Sequence, residues 1–392
     1  MTINRPPVSV LLVCHSYPPV IGGSELEAQR VAAALIRRGH RVRVVCAGGD
    51  PMPPVRDWVD PAGVPVRIYA GRWKGARRDR VFALRVAGML LRESRDYQLV
   101  YFLMQGLHLA LGLPVARMLA KPILMKVGGS GVISMMAATR TGRLELRWLR
   151  KWAYRVMVLN DGMREEAMGV GFPSGQLHWM PNPVDTDEFA PCGEDRRREL
   201  RARFGLPADA PVILYLGRLA AEKLLDVLVD AFARVLKEAP DAVLALVGDG
   251  PERAALEDRI RRMGLPSGQV RFAGLVAPAR VPFWYQAADA FALVSEREGF
   301  PCALVEAMSA GLPSVVSDIA GNRQLIDGGE RGLVVPLGDA EATAAAMLGL
   351  IRDGALRRKM GTAARRLVLD NYSADKIADR YESLFYETLS AG

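Results

Sequence analysis

Two glutamates, Glu298 and Glu306, lie eight residues apart in SEREGFPCALVEAMSAG, residues 295–311. An apolar run precedes them, Pro301 lies between them, and Gly311 closes the segment. This order predicts a buried strand, a polar loop and a helix with Pro in its first turn. Ligands of open parallel sheets bind at the carboxyl ends of strands, where helix N-termini attract anions. Carboxylates there would face neutral groups such as sugar hydroxyls; the alternative is two solvated helix-end carboxylates.

Arg218 and Lys223 are the cations best placed to hold a diphosphate. They occur in YLGRLAAEKLLDVLVDAF, residues 215–232, where Arg218 follows a predicted strand and Lys223 begins a predicted helix. Arg can bind two phosphate oxygens, whereas Lys supplies a mobile point charge. Either residue alone would also be an ordinary surface cation.

A second candidate anion-binding loop joins the first predicted strand to the first predicted helix. In PPVIGGSELEAQ, residues 18–29, Gly22 and Gly23 allow a ligand to approach the backbone closely, and Ser24 with Glu27 predicts a capping box. The loop is not GxGxxG, so it does not favour dinucleotide binding. A simple tight turn is the alternative.

Composition limits the class of protein. The 392 residues are 50% hydrophobic and 24% charged, which is typical of a globular chain long enough for two domains. The four cysteines and four histidines show no metal-ligand spacing, and scattered cysteines favour reduced thiols in the cytoplasm. The first residues lack the apolar stretch of a signal peptide. Polar residues interrupt the most hydrophobic stretch, 99–120, which predicts a buried strand and helix rather than a membrane span.

Strand-like and helix-like segments alternate through both halves of the chain. Such units predict an α/β fold of two Rossmann-like domains, each a parallel sheet covered by helices. The segment 179–200 breaks the alternation with prolines and a charge run, and marks the joint. We therefore expect a first domain at 1–185 and a second at 186–372, with a C-terminal helix at 373–392 packing back on the first.

Together these segments resemble glycosyltransferase family 4, the retaining nucleotide-sugar transferases, over nearly the whole chain. The glycine loop, the phosphate segment, PNPVDTDEF and the two-glutamate segment occur in the family's order. The resemblance implies the GT-B fold, two Rossmann-like domains facing a cleft, and transfer that needs neither metal nor another cofactor. Asp185 and Asp187 alone would suggest a metal-binding DxD, but the resemblance places them in the interdomain stretch.

The resemblance also assigns roles to the candidate residues. Arg218, Lys223 and Glu298 would form the catalytic set, with the two cations on the diphosphate and Glu298 on the donor sugar hydroxyls, whereas Glu306 would hold the ribose. No covalent nucleophile is assigned. The other expected donor contacts are Gly22, Gly23, Val276, Phe300, Cys302 and Ala303.

This sequence departs from the family after the predicted strand KPILMKV. Many members carry His near the reacting carbon, whereas Gly128 occupies that place in KVGGSG, residues 126–131. We expect Gly128, Gly129 and Ser130 to line the acceptor side by their backbone.

Positive charge is concentrated in the first half. Residues 1–185 contain 26 Lys and Arg against 13 Asp and Glu, whereas residues 186–392 contain 26 against 30. Within residues 140–155, an apolar stripe of Leu144, Trp148 and Trp152 lies beside five cations at helical spacing: Arg140, Arg143, Arg147, Arg150 and Lys151. This pattern favours an anionic membrane surface; the alternative is core tryptophans with solvated arginines. Aromatic residues are few and no nucleic-acid-binding module occurs, so nucleic acid is not an expected partner.

We therefore expect a hexosyltransferase that moves a sugar from a nucleotide sugar to a hydroxyl of a glycolipid, glycan or other membrane-linked intermediate. It would lie in the cytoplasm, at the inner face of the membrane. One alternative is a small soluble hydroxylated acceptor, as in antibiotic or thiol biosynthesis. Another is a catalytically silent protein that binds sugar nucleotides, which the complete set of Arg218, Lys223, Glu298 and Glu306 argues against.

Overall fold

The computed structural model describes residues 6–20, 22–48, 57–69, 73–326 and 329–390. The chain forms two compact units: Met1–Pro183 together with Ala374–Gly392, and Val184–Ser373. The division therefore falls two residues before the boundary expected from the sequence, inside the proline-containing joint.

Within the described residues, the first unit has an eight-stranded sheet and six helices before the joint. The strands are β1 (Ser9–Cys14), β2 (Arg41–Cys46), β3 (Asp57–Val59), β4 (Pro65–Ile68), β5 (Leu99–Leu103), β6 (Ile123–Lys126), β7 (Arg155–Val158) and β8 (Leu177–Trp179). The helices are α1 (Gly23–Arg37), α2 (Gly75–Arg92), α3 (Leu107–Met118), α4 (Val132–Ala138), α5 (Arg140–Trp152) and α6 (Asp161–Gly169). Strands β1 and β5 are buried along their whole length, because side chains on both faces of a helix-covered parallel sheet are apolar.

The strand order of this sheet is β3-β4-β2-β1-β5-β6-β7-β8. From β1 the chain builds one side of the sheet, and from β5 it builds the other side. Neighbouring strands are parallel except for the antiparallel pair β3 and β4. The point where the order reverses lies between the carboxyl ends of β1 and β5, and such switch points form ligand crevices in open α/β sheets.

The second unit has a six-stranded parallel sheet among its described residues. Its strands are β9 (Val212–Leu216), β10 (Val243–Val247), β11 (Val270–Gly274), β12 (Ala290–Leu293), β13 (Ser314–Ser317) and β14 (Gly332–Val335). Its helices are α7 (Glu194–Phe204), α8 (Leu225–Val235), α9 (Arg253–Arg262), α10 (Val281–Ala287), α11 (Cys302–Ser309), α12 (Ala320–Arg323), α13 (Ala340–Arg352) and α14 (Gly354–Asn371). The last helix of the chain, α15 (Ala374–Ser390), belongs to the first unit.

The order of the second sheet, β11-β10-β9-β12-β13-β14, also reverses once. The chain adds β10 and β11 on one side of β9, and then β12, β13 and β14 on the other. The switch point therefore lies between the carboxyl ends of β9 and β12. The loops that follow these two strands carry the candidate catalytic residues.

A buried polar network corrects the predicted capping box. Glu27 does not cap α1; its carboxylate is buried and pairs with the buried ammonium of Lys126 at the end of β6. Lys126 also donates to Asn182 Oδ1 at 2.7 Å, and Tyr381 of α15 donates to Glu27 at 3.4 Å. Burial raises the pKa of Glu27, and Lys126 opposes that shift. The network therefore links α15, α1 and the segment around Asn182 to strand β6 of the first sheet. Removing one member would leave a buried charge without its partner, which is strongly destabilising.

Helix α5 places its apolar stripe differently from both readings of the sequence. The side that packs inward consists of Gly142, Leu146 and Leu149. Trp148 and Trp152 are half-buried and stack on each other, with ring centroids 5.3 Å apart, while Leu144 is exposed. The five cations Arg140, Arg143, Arg147, Arg150 and Lys151 are all exposed. The tryptophans are therefore at the margin of the core, beside the basic surface.

All four cysteines are free thiols, and Cys14 and Cys46 are buried. In the part of the chain that the structure describes, no helix combines the length and apolar character needed to cross a bilayer.

Candidate active site

The switch point of the second sheet brings Lys223 and Glu298 together. Lys223 follows β9 and Glu298 follows β12, and Lys223 Nζ lies 2.7 Å from Glu298 Oε1. Their side chains are only 19% and 11% exposed. The sequence alone also allowed each residue to be a solvated surface charge. The structure instead places them in one largely buried ion pair, because they follow two strands that are far apart in the chain.

The backbone after β9 is shaped by close packing. Lys223 ends a single 3₁₀ turn, Ala221–Lys223, and α8 begins only at Leu225, so Lys223 precedes the helix that it was expected to start. The neighbouring loop lies against this segment: a Cβ on Gly248 would approach the Gly217 carbonyl oxygen to 1.9 Å. Only glycine permits that contact, since the obstructing atom belongs to the backbone.

Arg218 lies in the same loop but reaches solvent. Its guanidinium pairs with Glu222 Oε1 at 2.5 Å, and the arginine side chain is exposed. The Glu222 carboxylate accepts a hydrogen bond from its own backbone N–H and lies beside the Arg218 guanidinium. The first effect and then the second lower the pKa of Glu222 below its usual range. Glu222 therefore stays ionised at neutral pH and holds the arginine beside the switch point.

Glu306 is buried on α11, and its exposed fraction is 7%. Tyr285 of α10 donates to Glu306 Oε2 at 3.2 Å and to the Ala303 carbonyl at 3.1 Å. Since both glutamates of the segment are largely enclosed, the alternative of two solvated helix-end carboxylates is wrong. Tyr285 had no sequence signal beyond an aromatic residue in an apolar segment.

The remaining donor-contact candidates lie near the start of α11 or farther along the sheet edge. Phe300 is buried and its ring lies 6.0 Å from that of Tyr372, while Cys302 is the first residue of α11. Val276 follows β11, which is separated from β9 by β10. Val276 therefore lies at the same edge as the Lys223–Glu298 pair but two strands away from β9.

The glycine loop of the first unit leads directly into α1. Gly22 is extended and Gly23 is the first helical residue; Gly22 occupies the N-cap position without a side chain to cap the helix, and Ser24 donates to Glu25. The N-cap residue of α1 therefore supplies no side-chain acceptor to the first N–H groups of the helix.

The acceptor-side candidates follow β6 in a loop that α6 holds in place. Glu166 accepts hydrogen bonds from the backbone N–H of Gly131 at 3.1 Å and of Ser134 at 2.6 Å, and Asn160 donates to Ser130 Oγ at 3.4 Å. A Cβ on Gly128 would lie 2.6 Å from the Met104 methyl group and 3.5 Å from Gln105 Oε1. Glycine at 128 thus allows Met104 and Gln105, which follow β5, to fill the space of the missing side chain.

The aspartates of DTD form a turn. Asp185 Oδ1 accepts the backbone N–H groups of Asp187 and Glu188 at 3.1 and 2.9 Å, which is a local reason for Asp at this position. Among the residues that the structure describes, no group of three His, Cys, Asp or Glu side chains is arranged to hold a metal ion.

Comparison with known proteins assigns the chain to a family. The model for Glycosyltransferase Family 4 matches residues 21–188, and the model for Glycosyl transferases group 1 matches residues 196–367. The D-inositol 3-phosphate glycosyltransferase of Kineococcus radiotolerans is 31% identical over 379 aligned positions, and the match covers 88% of this chain and 86% of that protein. The chain belongs to glycosyltransferase family 4. The family resemblance of its sequence segments is thereby confirmed.

This glycosyltransferase is also similar to a mannosyltransferase of Mycolicibacterium smegmatis, GDP-mannose-dependent and named for α-(1-6) transfer to phosphatidylinositol monomannoside. Identity is 28% over 392 aligned positions, and the match covers 93% of this chain and 94% of that protein. Among solved structures, Anabaena HepE in complex with UDP and glucose matches with a TM-score of 0.79 at 20% identity, covering 97% of this chain and all of the other. The likeness confirms the GT-B fold. The glycosyltransferase thus transfers a sugar from a nucleotide sugar.

Proposed function

We propose that this glycosyltransferase retains the anomeric configuration of its donor and transfers a hexose to a hydroxyl of a membrane-linked glycolipid or polysaccharide intermediate. The observation that carries the donor half of the proposal is the enclosed Lys223–Glu298 pair at the switch point of the second sheet. The observation that carries the membrane half is the basic and aromatic face of α5.

Donor binding would exchange the partners of the site's charges. Lys223 and Arg218 each contact a carboxylate in this structure, at 2.7 and 2.5 Å. A diphosphate carries more negative charge than a carboxylate, so it would draw Lys223 towards itself. Glu298 would then accept hydrogen bonds from the donor sugar hydroxyls, and Arg218 would remain near the diphosphate, since Glu222 holds it there.

The nucleotide would extend along the sheet edge past α11. Glu306 is oriented by Tyr285, and its carboxylate suits two ribose hydroxyls, because a carboxylate accepts up to four hydrogen bonds. The backbone N–H groups of Phe300, Cys302 and Ala303 lie near the start of α11, where the helix dipole favours phosphate. Val276 and the Gly22–Gly23 turn are the remaining proposed donor contacts.

The chemical step would depend on stabilising the leaving diphosphate. Lys223, Arg218 and the α11 N–H groups are in place before the reaction. Such preorganised groups stabilise the charge of the transition state more strongly than water, which must reorient. We propose that these groups suffice without a metal ion, and that Glu298 positions the sugar rather than attacking it.

The membrane half of the proposal rests on one face of α5. Arg140, Arg143, Arg147 and Lys151 follow one another at helical spacing with Leu144 and Trp148 between them, and all six are exposed or half-buried. Cations near an anionic bilayer each contribute on the order of 1 kcal/mol, and half-buried tryptophans suit the interface. Such a face would bring the first unit, with its candidate loop Gly128–Ser130, to the surface where a lipid-linked acceptor lies.

A transfer assay tests this function. Radiolabelled UDP, GDP, ADP and dTDP sugars would be incubated with vesicles of a bacterial total lipid extract, and in parallel with myo-inositol or methyl α-mannoside in solution. Label in the lipid fraction supports the membrane-linked acceptor. Label only on the soluble probes would favour a small hydroxylated acceptor instead. Absence of transfer and of donor hydrolysis with every donor would refute the activity.

A further inference from the structure

The switch point of the first sheet carries its own set of polar side chains. His15 and Ser16 directly follow β1, and Gln105 follows β5, so these residues flank the place where the strand order reverses. Crevices at this position bind ligands in open parallel sheets. None of these residues is among the candidate donor contacts described above.

An aspartate orients the ring of His15. His15 Nε2 lies 2.8 Å from Asp79 Oδ1 on α2, and the imidazole side chain is 30% exposed. The ring also meets the edge of Phe82, with centroids 6.3 Å apart and planes at 89°. Because an ionised carboxylate only accepts, the neutral ring must carry its proton on Nε2 and keep a lone pair on Nδ1. Ser16 Oγ lies 3.3 Å from Nδ1 and would donate to it, a long contact that a hydroxyl of a ligand can replace.

Two neighbouring polar atoms are acceptors as well, because His108 donates its one ring proton to the Met104 backbone and this leaves Nε2 with a lone pair. His108 is 2% exposed, and burial lowers its pKa to about 3, so this ring is neutral. Its Nε2 and the Oε1 of Gln105 are buried without a hydrogen-bond partner in the described part of the chain. His108 lies next to His15, with ring centroids 6.4 Å apart. Such a group of acceptor atoms suits a ligand that donates hydrogen bonds, and disfavours an anion.

We propose that His15, held by Asp79, contacts the acceptor substrate and receives a hydrogen bond from one of its hydroxyl groups at Nδ1. The acceptor is then a sugar or polyol that presents a neutral, hydroxylated face to the β1–β5 switch point. This inference rests on the proposed transferase function and names the residue that orients its acceptor. Asp79 acts through His15 and is a positioning residue.

Paired substitutions of His15 separate this role from a structural one. In His15→Asn the amide oxygen falls near the place of Nδ1, whereas in His15→Gln the amide nitrogen falls near Nε2 and keeps the bond to Asp79. The proposal predicts that Asn retains more transfer than Gln, and that His15→Ala loses about tenfold in kcat/KM for the probe acceptor, the effect of one lost hydrogen bond. A merely structural contact with Asp79 predicts the opposite order.

The chain offers a matched control. His40 pairs with Glu382 at 3.0 Å, a similar imidazole–carboxylate contact, but it precedes β2 and therefore lies at the amino ends of the strands. His40→Asn should leave the acceptor KM unchanged. The probes are the lipid-extract vesicles or the soluble acceptor that supports transfer above, and donor hydrolysis without acceptor should also be unchanged in His40→Asn. Normal transfer by His15→Ala would overturn the inference and leave the proposed function standing.

A second measurement tests the role of His15 independently of transfer activity. It remains decisive for His15 even if the wild-type enzyme transfers to none of these probes, a result that would count against the proposed function. Long-range ¹H–¹⁵N spectra of histidine-labelled enzyme at pH 8 report which ring nitrogen carries the proton, and His15→Gln identifies the resonance. We expect the Nε2–H tautomer, shifted towards Nδ1–H in Asp79→Asn. A wild-type His15 that is protonated on Nδ1 at this pH would overturn the proposal.

Discussion

Removal of the Lys223 ammonium is the most direct test of the donor site. In Lys223→Ala the leaving diphosphate loses its enclosed cation, and Arg218 remains as an exposed one. Loss of one preorganised charge at a transition state costs about 3–4 kcal/mol in comparable sites. We therefore expect kcat to fall by roughly 10²–10³-fold.

The same substitution has a cost in stability that the sequence alone did not predict. Glu298 loses its ammonium partner while its side chain remains only 11% exposed. Loss of the ion-pair partner of a partly buried carboxylate destabilises by about 1–3 kcal/mol, and the position of Glu298 at the edge of the sheet favours the lower half of that range. In a domain of this size 1 kcal/mol corresponds to roughly 2–4 °C in Tm. The double variant Lys223→Ala/Glu298→Gln should recover most of that Tm without recovering activity.

The assay measures donor hydrolysis and transfer beside thermal unfolding. Lys237→Ala, which removes an exposed lysine from the same unit, is the matched control and should resemble the wild type in both. Turnover of Lys223→Ala within threefold of the wild type would refute the assignment of Lys223 to the diphosphate. A Tm below that of the double variant by several degrees, with normal turnover, would make the ion pair structural only.

Three further outcomes are expected. Activity should survive EDTA, since the proposed leaving-group contacts are cations and N–H groups; loss on chelation that Mg²⁺ or Mn²⁺ restores would contradict this and would direct attention back to Asp185 and Asp187. Vesicles containing anionic lipid should bind the enzyme better than neutral vesicles, and this binding should weaken at high salt. Replacing Arg143, Arg147, Arg150 and Lys151 with glutamine should reduce sedimentation with anionic vesicles without changing donor binding. Equal partition to both lipids would mean that α5 is a solvated face. Burial raises the pKa of Glu145 in α5 from 4.5 to about 7. Between these pH values the folded state binds more protons than the unfolded chain, so stability should fall as the pH rises. Glu145→Gln should flatten that part of a plot of Tm against pH, and an unchanged slope would assign the titration to another group.

Much of the fold followed from the sequence, because strands and helices are local. Apolar runs such as those of β1 and β12 indicate buried parallel strands by themselves. The alternation of such runs with amphipathic segments indicates doubly wound sheets. The candidate site was found for a related reason: Arg218, Lys223 and Glu298 follow strands, and strand ends in parallel sheets are where ligands bind. The helix start at Lys223 was misplaced by two residues, since a 3₁₀ turn precedes α8.

The partners of the polar side chains followed only from the tertiary structure. Glu27 satisfied the spacing of a capping box, yet the strand order places Lys126 beside it, and a buried ammonium is the stronger partner. The same holds for His15 and Asp79, for Glu306 and Tyr285, and for Lys223 and Glu298.

The sequence therefore determined which segments form strands and helices, and which residue types stand at their ends. Periodicity carries that information because it reflects the burial of each element's own faces. Strand order and packing decided which of those ends meet, and hence which charges are paired and which acceptors lack donors. Helix packing likewise decided that Trp148 lies at the edge of the core instead of inside it. Pairings of this kind join residues separated by 21 to 354 positions in the chain, where no local pattern links them.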